Sequence, residues 1–163
     1  MAVKVFLCED SIEGIFSGVY DAWESALRCG HENCRLETVL TKDSEDGQAI
    51  ELFTEYLQVE ADADKAERVA RKVRERLGML TYQEICKAGA AGMKMMSLGK
   101  IDKAEAIYKM IVTGFSLNRG EEILNHMSNP YVMRVFELAR CVNNEILHLH
   151  GFLRFKELKS GVL

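Results

Sequence analysis

A short apolar run at the amino end, Val3 to Cys8, leads through Glu9 and Asp10 into an amphipathic helix pattern and then into a second strand-like run. No other feature constrains the fold as strongly. Val3 to Cys8 suits a buried strand. Asp10-Ser11-Ile12-Glu13 then predicts a helix start, with the Asp10 oxygen accepting a free backbone N–H and Glu13 reaching back. Ile12, Ile15, Phe16, Val19, Trp23 and Leu27 follow at spacings of three and four, which predicts one apolar helix face ending near Gly30. Arg35 to Leu40 reads as the second strand, so the chain opens β-α-β.

The rest of the pattern is mainly helical. Thr41 to Gly47 is a polar turn or loop. Residues 50–60 fit two readings: Ile50, Phe53 and Leu57 lie on a helix face, whereas Phe53 to Val59 also suits a strand. Asp64-Lys65-Ala66-Glu67 is cap-like and opens a basic helix through Leu77. Thr81-Tyr82-Gln83-Glu84 matches a capping box and predicts a helix to about Met96. Asp102 to about Leu117 predicts another, with Ala106, Ile107, Met110, Ile111 and Phe115 on one face. The single proline, Pro130, follows Asn129 and suits the first turn of a last long helix reaching about His150. Phe152 to Leu158 reads as a strand. Nothing repeats and no linker interrupts the chain, so the expectation is one α+β domain over residues 1–163, mainly helices packed on a small sheet.

At 163 residues such a domain buries roughly 70% of its unfolded surface. No apolar run approaches the roughly 18 residues of a membrane span. The amino end is too short for the apolar region of a signal peptide. These points lead to the expectation of a cytoplasmic protein with no membrane partner, its five cysteines reduced. The charge is divided unevenly. Residues 1–64 carry 4 Lys/Arg against 15 Asp/Glu, and residues 65–163 carry 17 against 10, giving −11 and +7 within a net of −4. The basic portion could face phosphate; the bland alternative is internal pairing within one solvated surface.

Cys29-Gly30-His31-Glu32-Asn33-Cys34 places two thiols and an imidazole within six residues. Zinc takes four such ligands, and Cys86, Cys141 and His126 are isolated, so no metal site is expected and Cys34 reads as a small apolar residue opening a strand. The cysteines also lack the close three-cysteine pattern of an iron–sulfur cluster for radical chemistry. Gly92 to Lys100 superficially resembles a phosphate loop. It has six residues between its glycines, and Ile101 stands where Ser or Thr would hold magnesium.

Two groups of residues carry candidate chemistry. Lys65, Arg68, Arg71, Lys72, Arg74 and Arg76 load one helix with positive charge against Glu67 and Glu75. Arg68, Lys72 and Arg76 share a face. Phosphate contact through Arg68, Arg71, Lys72 and Arg76 is the functional reading, and a solvated helix face the bland one. No aromatic residue interleaves these charges, so a base-stacking platform is not indicated. The second group is Glu145 to Phe155. Arg140, Asn144 and His148 form one helical stripe beside Glu145, His150 follows, and Arg154 lies on the strand. Arg140 and Arg154 are further phosphate-binding candidates. Glu145, His148 and His150 are the candidates for any catalysis. The competing structural reading is an ion pair between Glu145 and Arg154.

Phe6 to Phe16, Tyr20-Asp21-Ala22-Trp23, Gly30-His31-Glu32-Asn33, and Glu145 with Gly151-Phe152-Leu153-Arg154-Phe155 together carry a family resemblance. They resemble a bacterial domain-of-unknown-function family described as DNA metabolism proteins associated with a radical-SAM partner. The resemblance implies kinship with a domain fused to uracil-DNA glycosylase-like modules. It also implies a domain continuing past Gly161-Val162-Leu163 through another strand and helix. It brings no catalytic residues. The function expected is therefore an accessory DNA-metabolism protein, not catalytic on its own and without a cofactor, that binds nucleic acid or its partner through the basic C-terminal portion. An enzyme acting on a nucleotide or nucleic-acid component through Glu145, His148, His150 and Arg154 is the rival. A purely structural interaction module is a third reading.

Overall fold

The computed structural model describes residues 2–39, 53–92 and 101–144. Its sheet is built on the apolar amino-terminal run, which forms the central strand β1 (Val3–Glu9). Helix α1 (Ile12–Cys29) and a single 3-10 turn (His31–Asn33) lead to β2 (Cys34–Val39). The ambiguous stretch after residue 50 resolves as a strand, β3 (Thr54–Gln58). The sheet order is β2-β1-β3 with every pair parallel, and Phe6 sits in register with both Leu36 and Leu57. Val5 and Leu7 are buried on one face of β1, and Phe6 and Cys8 on the other. That is why the run reads as continuously apolar rather than alternating: a parallel strand has no solvent face.

Among the described residues four further α-helices follow, α2 (Ala63–Leu77), α3 (Met79–Gly89), α4 (Lys103–Ser116) and α5 (residues 130–144), with a 3-10 helix (Gly120–Asn125) between the last two. The architecture is α+β, and one apolar core joins Phe6, Cys8 and Leu36 of the sheet to side chains from all five helices. Helix α1 lies close on the Phe6/Cys8 face because it presents glycine there. A Cβ on Gly14 would stand 2.7 Å from Glu9 O, and one on Gly18 would overlap Cys8 Sγ. No helix among the described residues is long and apolar enough to cross a membrane.

Several helix starts differ from the sequence expectation. Ser11, not Asp10, caps α1: its Oγ accepts the Gly14 N–H at 3.0 Å. Asp10 instead bonds Lys103 across the fold. Helix α2 is capped by Asp62, whose Oδ1 accepts from Asp64 N and Lys65 N at 2.9 and 3.1 Å, so Asp64 falls inside the first turn. The predicted capping box at Thr81 is not used. Gly78 takes φ 89, which turns the chain from α2 straight into α3 at Met79 and leaves Thr81 buried within the helix. Helix α3 stops at Gly89, short of Met96.

The carboxyl half follows the sequence more closely. Asp102 caps α4 as expected. Asn129 caps α5, with Oδ1 accepting from Tyr131 N at 2.9 Å and Pro130 in the first turn. The phosphate-loop-like residues from Met93 to Lys100, the end of the last helix beyond Asn144 and the strand expected at Phe152 lie outside the described residues.

Candidate nucleic-acid interface

Helix α2 divides cleanly into two faces. Ala66, Val69, Ala70, Val73 and Leu77 are buried, and this stripe fixes the helix against α1, α3 and α4. Its start is anchored as well: Ser17 of α1 accepts the Asp62 N–H at 2.9 Å and donates to Glu13 O at 2.8 Å. The opposite face exposes Arg68, Arg71, Lys72 and Arg76 together. Arg71 and Lys72 have no ion-pair or hydrogen-bond partner among the described residues.

Lys65, Arg74 and Arg76 lie over aromatic rings that neighbouring helices supply, and Arg68 bonds the hydroxyl of one of those rings. Arg76 stacks 5.0 Å from the Phe115 ring of α4 and donates to Phe115 O at 2.9 Å. Phe115 in turn packs on Trp23 of α1, centroids 5.1 Å apart. Lys65 lies 5.6 Å from the Tyr20 ring and pairs with Asp21 at 2.8 Å. Arg68 Nη1 donates to Tyr20 Oη at 3.5 Å. Arg74 lies 4.9 Å from the Tyr82 ring and pairs with Glu67 at 2.8 Å. The sequence contains no aromatic residue among the charges of α2, yet the fold places three beside them, with Trp23 behind one of the three. Only tertiary packing brings Tyr20, Trp23, Tyr82 and Phe115 there, so reading along the helix misses them. Such contacts hold guanidinium planes in place and leave edges free to donate.

A cleft of about 200 Å³ opens on the flank of α2 toward α1 and α3, lined by Glu13, Phe16, Ala66, Glu67 and Tyr82 among others. Its two carboxylates oppose the entry of a polyanion. The cleft is thus a poorer place for a phosphate than the outer face of α2.

Arg140 is exposed on α5, a separate element from the basic face of α2. Glu145, His148, His150 and Arg154 lie outside the described residues. The fold thus gathers Arg68, Arg71, Lys72 and Arg76 on one surface.

The Cys29–Cys34 segment forms a second cluster at the start of β2. His31 Nδ1 lies 2.6 Å from the buried Tyr108 hydroxyl, and Lys109 Nζ donates to His31 O at 3.1 Å. Burial, and then the Lys109 charge, hold His31 below its ordinary range, so the imidazole is neutral at pH 7. Burial pushes the Tyr108 phenol up, so it stays protonated. Among the described residues no group of three or more His, Cys, Asp or Glu side chains is arranged to hold a metal ion.

A third polar site was hidden in the sequence. Lys103, 1% exposed, bonds Asp10 just past the carboxyl end of β1 and donates to Gly89 O and Ala91 O at 3.0 Å each. Directly after the cap Asp102, Lys103 looks like an ordinary first-turn lysine. Its three partners come from two segments far away in sequence.

Residues 101–163 match the family model of a domain of unknown function, DUF4130. The matched stretch begins at α4, and its Asp102, Lys103, Glu105 and Lys109 bond β2, Asp10 and the His31 turn. No curated protein and no solved structure matches the chain.

Proposed function

We propose that this protein is an accessory factor of DNA metabolism that works with a radical-SAM enzyme and contacts nucleic-acid phosphates through the exposed face of α2. The DNA-metabolism and partner parts rest on the family resemblance of the opening and closing sequence segments. The phosphate part rests on one observation: Arg68, Arg71, Lys72 and Arg76 lie together on an exposed face, with Arg71 and Lys72 unpartnered among the described residues. Arg68, Lys72 and Arg76 step along the helix by about 6 Å each. A stripe of that length can face several phosphates of one strand.

Binding of single- and double-stranded oligonucleotides, measured by fluorescence anisotropy across salt concentrations with and without the radical-SAM protein, tests the proposal. About four phosphate contacts, one per cation, give a log–log salt slope of roughly −3.6 on duplex and about −2.8 on single strands. Absent or salt-insensitive binding in every combination removes the phosphate contact. Co-purification with the partner without any DNA affinity would instead favour a pure interaction module.

A further inference from the structure

Cys29 closes α1 and Cys34 opens β2, and their sulfurs lie 3.7 Å apart across the intervening turn. The turn is held from both sides. Asn33 Nδ2 donates to Cys29 O at 2.6 Å, and Lys109 Nζ reaches from α4 to His31 O and Cys34 O at 3.1 and 3.4 Å. Cys34 is buried, while Cys29 is partly exposed, its Sγ donating to Ser25 O at 3.3 Å. Among the described cysteines only these two have a sulfur for a neighbour.

We propose that Cys29 and Cys34 form a reversible disulfide by exchange with small-molecule disulfides, which makes the turn a redox-sensitive staple between α1 and β2. A disulfide needs the sulfurs at about 2.05 Å, so roughly 1.6 Å must close, within reach of side-chain rotation at the helix end. The order of events follows from exposure and chemistry. Burial above all, and the neighbouring Cys29 thiol, push Cys34 up to about 11, so Cys34 is a poor thiolate, and it is also the buried one of the pair. Cys29 therefore meets the reagent first. Its thiolate attacks one sulfur of a disulfide such as oxidised glutathione, forming a mixed disulfide and releasing one glutathione thiol. The Cys34 sulfur, losing its proton to solvent, then attacks Cys29 Sγ and expels the second thiol. The protein loses two electrons and two protons, and the reagent is reduced to two thiols.

The test treats the whole protein with graded ratios of oxidised to reduced glutathione, alkylates the remaining thiols and maps tryptic peptides by mass spectrometry. Cleavage after Arg28 and Arg35 puts both cysteines in one peptide. At an oxidising ratio that peptide should lose the mass of two hydrogens and take up no alkyl group, with alkylation falling from five cysteines to three. Excess reduced glutathione should restore it. Cys34→Ser should accumulate a glutathione adduct on Cys29, whereas Cys29→Ser should show neither bridge nor adduct at Cys34. The proposal fails if the wild-type peptide stays fully alkylatable, keeps a stable glutathione adduct, or bridges to another cysteine. That readout comes from the wild-type chain, so it stands even where a substitution folds poorly.

Discussion

Asp102 Oδ1 accepts the Thr38 backbone N–H of β2 at 2.9 Å while the same oxygen caps α4 through the Ala104 N–H, also at 2.9 Å. Two residues along β2, the Leu36 N–H reaches Glu105 Oε2 at 2.7 Å. Among the described residues, strand β2 is flanked by β1 on one side only. The N–H groups of Leu36 and Thr38, at alternate positions, are thus met by carboxylates from the start of α4, which satisfies strand donors that face away from β1.

Replacing Asp102 by alanine therefore removes a cap and leaves a half-buried strand N–H without its acceptor. A lost cap costs about 1 kcal/mol and an orphaned buried donor about 1–3, so Asp102→Ala should destabilise by about 2–4 kcal/mol. Asp102→Asn keeps an acceptor oxygen and should cost less than half as much. Urea denaturation of the two variants measures this, and equal losses would contradict the dual role.

The same carboxylates should leave a pH signature. Burial, the leading cause at both, raises Asp102 and Glu105 above their usual values of 3.8 and 4.5. A carboxyl whose folded value is raised favours the protonated form in the folded state. Its contribution is thus fully present below the unfolded value and lost as pH rises through the folded one. Between about pH 7 and about pH 4, wild type should gain stability relative to Asp102→Asn as pH falls. A pH-independent difference would show that Asp102 carries no such shift.

The Asp10–Lys103 pair makes a sharper demand. Lys103 is almost fully buried, so truncating it leaves Gly89 O and Ala91 O unpaired as well as Asp10. Breaking a buried pair costs about 3–5 kcal/mol; the partial exposure of Asp10 places Lys103→Met toward the lower end. Asp10→Asn should cost less, because its side chain still offers an oxygen. A double-mutant cycle should give a coupling of at least about 1 kcal/mol. Additive losses would mean the pair contributes nothing of its own.

Much of the sheet and most of the helices were legible in the sequence, because period and caps are local signals. Val3 to Cys8 announced a buried strand, and Asn129-Pro130 announced α5. Local reading failed where a residue answers to a distant partner. Asp10 looked like a cap because nothing nearby reveals Lys103, and Thr81 looked like one because the turn at Gly78 is a conformational choice of the preceding residue. The basic face of α2 was visible from charge spacing. The rings beneath its cations belong to α1, α3 and α4 and only the fold assembles them.

Close packing of α1 on β1 supplies another prediction. Gly18→Ala forces a methyl into Cys8 Sγ, with Leu36 Cδ2 3.3 Å from it. Overpacking of this kind costs about 1–3 kcal/mol. Adding Cys8→Ala removes the obstructing sulfur, so the double variant should be less destabilised than the sum of the single ones. Strict additivity would place the strain elsewhere.

The last prediction separates phosphate contact from packing on α2. Arg71 and Lys72 are exposed and unpartnered among the described residues, whereas Arg76 is bound up with Phe115. Arg71→Ala and Lys72→Ala should leave stability within about 0.5 kcal/mol of wild type. Each should lower DNA affinity to a similar degree for all sequences and reduce the magnitude of the salt slope by about 1. Arg76→Ala removes a cation–π contact worth about 0.5–1 kcal/mol besides any phosphate contact, so it should lower the melting temperature as well. Charge reversal at both free positions, Arg71→Glu with Lys72→Glu, should abolish binding at moderate salt. If that double variant binds like wild type, the outer face of α2 is solvated surface and the phosphates are held elsewhere.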